Sequence, residues 1–142
     1  MPYFFELPDI TQLTTPQQAV LNHPGSVSVY GGPGTGKSIT SLWRHIRNYD
    51  TGAKKSLLLT YTMSLVAYLS GAARTISDDA ADNIHKTVWW LQHEAKNFEE
   101  IIIDEAQDLP PGTYDQIKNY AVPVSHFKHQ YRRCKWCTCY PG

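Results

Sequence analysis

Two short segments of this chain carry residue types whose spacing suits phosphate and divalent-cation chemistry. The first is Gly31-Gly32-Pro33-Gly34-Thr35-Gly36-Lys37-Ser38. Glycine tolerates backbone angles that other residues resist, so successive N–H groups can turn inward onto phosphate oxygens. A helix starting at Lys37 would aim its positive N-terminal dipole at the same anion. Lys37 would reach the β- and γ-phosphates and Ser38 would place its hydroxyl on Mg²⁺, while Gly32, Pro33, Gly34, Thr35, Gly36 and Thr40 complete the nucleotide set. The second segment, Ile101-Ile102-Ile103-Asp104-Glu105, is an apolar run that ends in two acids. At the C-terminal end of a buried parallel strand such acids face the crevice where ligands of α/β sheets bind. Asp104 is placed to hold Mg²⁺ through water, and Glu105 to orient or deprotonate an attacking water. Two carboxylates facing one polyphosphate repel it unless a cation lies between them. The two segments together predict a nucleoside triphosphate bound with Mg²⁺.

The elements around them fit that chemistry. Ser26 to Tyr30 reads as a buried strand running into the glycines, and Lys37 to Asn48 as a helix with Ile39, Leu42, Trp43 and Ile46 at helical spacing. A chance glycine turn would lack this setting. Upstream, Pro16 to Leu21 reads as a short helix capped by Thr14 or Thr15. Ser56 to Thr60 and Glu100 to Ile103 are further central strands, and Ala121 to Ser125 begins a fourth. Met63 to Leu69, Thr87 to Lys96 and Thr113 to Tyr120 read as helices, and Thr75 to Asp82 as a polar, acidic surface loop. Alternating strands and helices predict an α/β fold with a parallel sheet and right-handed crossovers.

The 142 residues suit one domain, and an apolar content of 42% suffices for a single core. The net charge is zero, yet residues 1–125 hold 9 Lys/Arg against 13 Asp/Glu. The last 17 residues carry Lys128, Arg132, Arg133 and Lys135 and no acid, together with Cys134, Cys137 and Cys139. The body is free of cysteine, which excludes a disulfide framework for its core. No apolar run reaches transmembrane length, and the N-terminus lacks a basic, apolar leader. The expected setting is cytoplasmic or nucleoid-associated, without a membrane partner.

The acidic segment in full, Asp104-Glu105-Ala106-Gln107-Asp108-Leu109, resembles motif II of superfamily 1 DNA helicases of the UvrD/Rep type. Leu13-Thr14-Thr15-Pro16-Gln17-Gln18-Ala19-Val20 is similar to that family's Q motif, Leu57-Leu58-Leu59-Thr60-Tyr61-Thr62-Met63-Ser64 to motif Ia, and Ile84-His85-Lys86-Thr87 faintly to motif Ib. The resemblance covers about residues 11 to 124. It implies a P-loop NTPase fold, the first RecA-like domain of a two-domain motor. It further implies that Gln17 (with Gln18 as fallback) clamps adenine and so favours ATP, that Gln107 couples nucleotide to DNA, and that Thr60, Tyr61, Thr62 and His85 meet single-stranded DNA.

Beyond Val124 the family pattern stops. No motif III follows, and the change of composition falls at the same place, so residues 1–125 read as the ATP-binding domain and 126–142 as a basic Cys/His tail, foreign or disordered. The RecA-like sheet is then incomplete at its C-terminal end. The implied partners are single-stranded DNA, held weakly, and a second motor domain or an intact helicase. In the family, arginines of the second domain neutralise the γ-phosphate, so these residues alone are expected to turn over ATP very slowly and not to unwind DNA. A non-catalytic nucleotide-binding remnant or interaction module is the alternative. A different P-loop ATPase of AAA+ type is disfavoured by Gln17 and Gln107. In the tail, His126, His129, Cys134, Cys137 and Cys139 offer zinc-ligand types at a spacing unlike a standard finger.

Overall fold

A computed structural model of the chain describes residues 10–23, 28–31, 37–104, 109, 112–120, 124–129 and 137–139; residues 10, 28–31, 37, 124–129 and 137–139 are described by their backbone path. In chain order the elements are helix α1 (Thr15–Asn22), strand β1 (Ser28–Gly31), α2 (Lys37–Asp50), β2 (Ser56–Thr60), α3 (Met63–Arg74), α4 (Asp78–Asp82), β3 (Ile84–Lys86), α5 (Thr87–His93), β4 (Glu100–Ile103), α6 (Thr113–Ile117), β5 (Val124–His129) and β6 (Cys137–Cys139). The strands form one sheet in the order β3-β2-β4-β5-β1-β6. All neighbouring pairs are parallel except β1 with β6, which is antiparallel. The chain is thus an α/β protein with a parallel sheet flanked by helices.

Parallel strands need crossover connections, and the helices supply them. Alternation along the strands then decides which residues meet which helices. Leu58 of β2 and Ile102 of β4 join Val20, Leu42, Ile46, Leu69 and Ile84 in a core on the face covered by α1 to α4. Leu57, Leu59, Ile101 and Ile103 point the other way and pack with Trp90 of α5 and Ile117 of α6. Leu57, Leu58, Leu59, Ile101, Ile102 and Ile103 are all fully buried, which is why these runs read as continuously apolar.

Helix ends follow local chemistry. The Thr14 hydroxyl accepts from the Gln17 N–H and the Gln17 side chain accepts from the Thr14 N–H, a reciprocal capping box. Gly52 follows the end of α2 with φ 71, the left-handed conformation that glycine adopts without strain. Thr62 caps α3, its hydroxyl accepting from the Leu65 N–H.

The structure differs from the sequence reading at four places. Thr75 to Asp82 is not a loop: α3 continues to Arg74, and Ser77 caps α4, whose Asp78 and Asp79 suit the positive end of the helix dipole. The small residues Ala72, Ala73, Ala80 and Ala81 let both helices sit close on the sheet, and all four are buried. Ile84–Lys86 is the edge strand β3, paired with β2 from Leu58↔Ile84 to Thr60↔Lys86. The helix starting at Thr87 ends at His93, short of Lys96. The strand expected to begin near Ala121 runs from Val124 to His129, between β4 and β1, so it spans the compositional break at Ser125. Among the described residues no helix is long and apolar enough to cross a membrane.

Candidate functional site

β1 and β4 are separated in the sheet by β5, and all three run in the same direction. Their C-terminal ends therefore open on one edge. Gly31 closes β1 there, and Lys37 opens α2. Helix α2 returns antiparallel across the face that bears Leu58 and Ile102. Even-numbered residues of β4 look at this helix, and their partners change along it. Glu100, at the start of β4, meets Arg44. Ile102 lies in the apolar middle with Leu42 and Ile46. Asp104, just past the end, meets Ser38.

The Ser38 hydroxyl donates to Asp104 Oδ2 at 2.9 Å, joining residues 66 apart in sequence. Asp104 is 2% exposed, and its N–H donates to the Leu59 carbonyl at 2.8 Å, so the β2–β4 ladder fixes the backbone that carries the acid. Ser38 is half-buried and its own carbonyl accepts from the Ser41 hydroxyl at 2.9 Å. A hydroxyl and a carboxylate held together at a sheet's C-terminal edge are hard oxygen donors, the kind that suits Mg²⁺ rather than a soft metal. Among the described residues there is no cluster of three or more His, Cys, Asp or Glu side chains that could hold a metal alone.

The remaining sequence-predicted residues are placed as follows. Thr40 is fully buried on α2, one turn or less from Ser38. Gln17 is buried and its side-chain oxygen is engaged at the Thr14 N–H at 2.8 Å, a role that the spacing of Thr14 and Gln17 could have revealed. Gln18 donates to the Leu13 carbonyl at 2.9 Å. Gly32, Pro33, Gly34, Thr35, Gly36, Glu105 and Gln107 lie outside the described residues, and Lys37 is described by its backbone.

Thr60 is fully buried. The register Leu59↔Ile103 sets it level with Asp104, and alternation turns it to the α2 face, where its hydroxyl has no hydrogen-bond partner. An enclosed hydroxyl is out of reach of a DNA phosphate in this arrangement. The Thr62 hydroxyl is occupied in capping α3. Tyr61 is 47% exposed at the same edge of the sheet. His85 is partly exposed on β3, its Nε2 3.6 Å from Glu94 Oε2 and its ring 5.3 Å from that of Trp89.

Sequence reasoning missed the opposite pole of α2. Arg44 and Glu100 are both buried, and the guanidinium donates through Nε and Nη2 to Glu100 Oε2, each at 2.9 Å. Arg44 Nη1 also donates to the Val20 and His23 carbonyls at 2.6 and 3.0 Å, closing the C-terminal end of α1. Asn48 donates to Glu100 Oε1 at 2.9 Å. His45 is fully buried between the Ser56 hydroxyl and the Ala80 carbonyl, both at 2.8 Å. The acid that opens an apolar run and the arginine inside an amphipathic helix were the available signals. No protein-family model matches the chain, and no curated protein matches it significantly.

Proposed function

We propose that the chain binds Mg-ATP as the first RecA-like, P-loop domain of an ATP-dependent DNA helicase or translocase of the UvrD/Rep type. The observation that supports this most is the Ser38–Asp104 hydrogen bond at the C-terminal edge of the parallel sheet. Two segments picked out independently, for a metal-binding hydroxyl and a metal-binding carboxylate, meet there. Ser38 and Asp104 would hold the Mg²⁺, and their oxygen donors fit that ion. When bound, the ion supplies positive charge that offsets the phosphates. Lys37 would add a second charge at the phosphates, and backbone N–H groups of residues 31–36 would supply donors to them. Glu105, next in chain to Asp104, orients the attacking water. Gln17 reads the adenine edge, for which it must exchange its bond to the Thr14 N–H for one to the base.

Single-stranded DNA is the second ligand of this reading, weakly held. Tyr61 and His85 carry the contact at the exposed edge beyond β2 and β3, with Thr62 contributing beside them. The test is a titration of a fluorescent ATP analogue by anisotropy, comparing the native chain with Lys37→Ala. The expected result is a loss of binding of tenfold or more, about 1.4 kcal/mol per decade, with GTP competing poorly. Equal affinity in the variant would remove the phosphate loop from the account.

A further inference from the structure

The C-terminal edge of the sheet holds a polar group that the nucleotide reading leaves unused. Thr60 closes β2 and is fully buried. The backbone around it is held from both neighbouring elements. The Thr87 hydroxyl donates to the Thr60 carbonyl at 3.2 Å, and the Asp104 N–H donates to the preceding carbonyl, that of Leu59, at 2.8 Å. The Thr60 hydroxyl itself has no hydrogen-bond partner among the described residues. Other buried hydroxyls nearby are engaged. Ser41 donates to the Ser38 carbonyl at 2.9 Å, Ser56 pairs with His45 at 2.8 Å, and Thr87 bonds to Thr60. A buried hydroxyl without a partner costs free energy, so a fold that keeps one needs a reason.

Position supplies the reason. The register Leu58↔Ile102 and Leu59↔Ile103 sets Thr60 beside Asp104, one strand spacing of about 4.8 Å away. Leu58 and Ile102 face α2, and Thr60 and Asp104 come next on that face by alternation. There Asp104 Oδ2 accepts from the hydroxyl of Ser38, in the first turn of α2. The Thr60 hydroxyl therefore adjoins the Ser38–Asp104 pair on the β2 side. Its enclosure admits only a small polar group. Magnesium dehydrates reluctantly and keeps several waters when one or two protein groups bind it. Such waters are donors, and a threonine oxygen can accept from them.

We propose that Thr60 is a positioning residue of the cation site: its hydroxyl accepts a hydrogen bond from a water of the Mg²⁺ that Ser38 and Asp104 would hold. The assignment rests on the Mg-ATP reading, and it replaces the DNA contact that the motif resemblance gives this residue. The hydroxyl is then used only in the loaded chain, and the metal-free chain carries it unbonded.

The test compares the full native chain with Thr60→Val, which keeps the β-branched shape without the hydroxyl, and Thr60→Ser, which keeps the hydroxyl. Two quantities are read for each. One is the gain in affinity for a fluorescent ATP analogue when EDTA is replaced by saturating Mg²⁺. The other is the urea midpoint in EDTA. Thr60→Val is expected to lose roughly tenfold of the Mg²⁺ gain, the low end of what outer-shell partners contribute to metal affinity. Its metal-free midpoint should equal or exceed the native one, because an unbonded buried hydroxyl has been removed. Thr60→Ser should retain most of the Mg²⁺ gain. An unchanged gain in Thr60→Val would overturn the assignment and leave the Mg-ATP reading intact. An equal loss in Thr60→Ser would trace the effect to packing of the methyl group and overturn the assignment. A lowered metal-free midpoint in Thr60→Val would show that the hydroxyl is bonded within the fold, and would overturn it as well. A native chain whose affinity ignores Mg²⁺ would overturn both the assignment and the reading beneath it.

Discussion

His45 is a histidine with no room to charge. Burial pushes its pKa from 6.5 down to about 4, only partly offset by the Ala80 carbonyl and the Glu100 charge. The neutral ring donates to that carbonyl and accepts from the Ser56 hydroxyl, so both nitrogens are used. Tyr49, edge-on to this ring at 5.3 Å, donates its hydroxyl to the Ser56 carbonyl and is itself pushed up to about 12, chiefly by burial. The folded state thus resists a proton that the unfolded chain accepts. Stability is at its full value above pH 6.5 and falls as the pH drops from 6.5 toward 4, by on the order of 3 kcal/mol over that interval. Urea midpoints at pH 7 and pH 4.5 should show this loss in the native chain and a smaller one in His45→Gln. An equal acid loss in the variant would move the effect to the carboxylates. Nothing in the sequence around His45 announces this role. The partners lie 11 and 35 residues away, and one of them is a backbone carbonyl with no sequence signature.

Helix α2 and strand β4 act as paired struts whose ends carry different chemistry. One end holds Ser38 and Asp104, and the other holds Arg44, Asn48 and Glu100 with the carbonyls of α1. A buried ion pair adds little over a well-packed apolar pair, but breaking it leaves a charge in low dielectric. Glu100→Gln is expected to cost about 3–5 kcal/mol, and the double change Arg44→Met with Glu100→Leu less than the single. Urea unfolding with an unchanged m-value checks both. A double variant that is weaker than Glu100→Gln would mean that the Arg44 bonds to α1, rather than the ion pair, dominate. Elements with long apolar runs, such as β2 and β4, were legible because burial on both faces leaves no other pattern. The edge strand β3 was not, since Ile84, His85 and Lys86 show neither length nor alternation. Helix α4 was hidden by its acids, Asp78, Asp79 and Asp82, which read as loop while Ala80 and Ala81 did the packing.

At the scale of the molecule, the sheet order β3-β2-β4-β5-β1-β6 brings together what the chain separates. The order itself was not readable. Apolar runs announce strands but not neighbours, and β5 lies where the composition turns basic, so its placement between β4 and β1 had no pattern to precede it. The candidate metal pair was readable, because Ser38 and Asp104 each belong to a recognisable segment: Ser38 lies in the first turn of α2, the helix that follows β1, and Asp104 directly follows the C-terminal end of β4. The account stands on that pair. Its most direct test is the affinity of a fluorescent ATP analogue with and without Mg²⁺, in the native chain and in Asp104→Asn. Asparagine keeps the shape and can still accept from the Ser38 hydroxyl, so the fold should survive while the charge that attracts the ion is lost. The account predicts that Mg²⁺ tightens binding by roughly tenfold or more in the native chain, at 1.4 kcal/mol per decade, and has little effect in a folded Asp104→Asn. Binding that ignores Mg²⁺ in the native chain, or Mg²⁺ dependence that persists unchanged in Asp104→Asn, would contradict it.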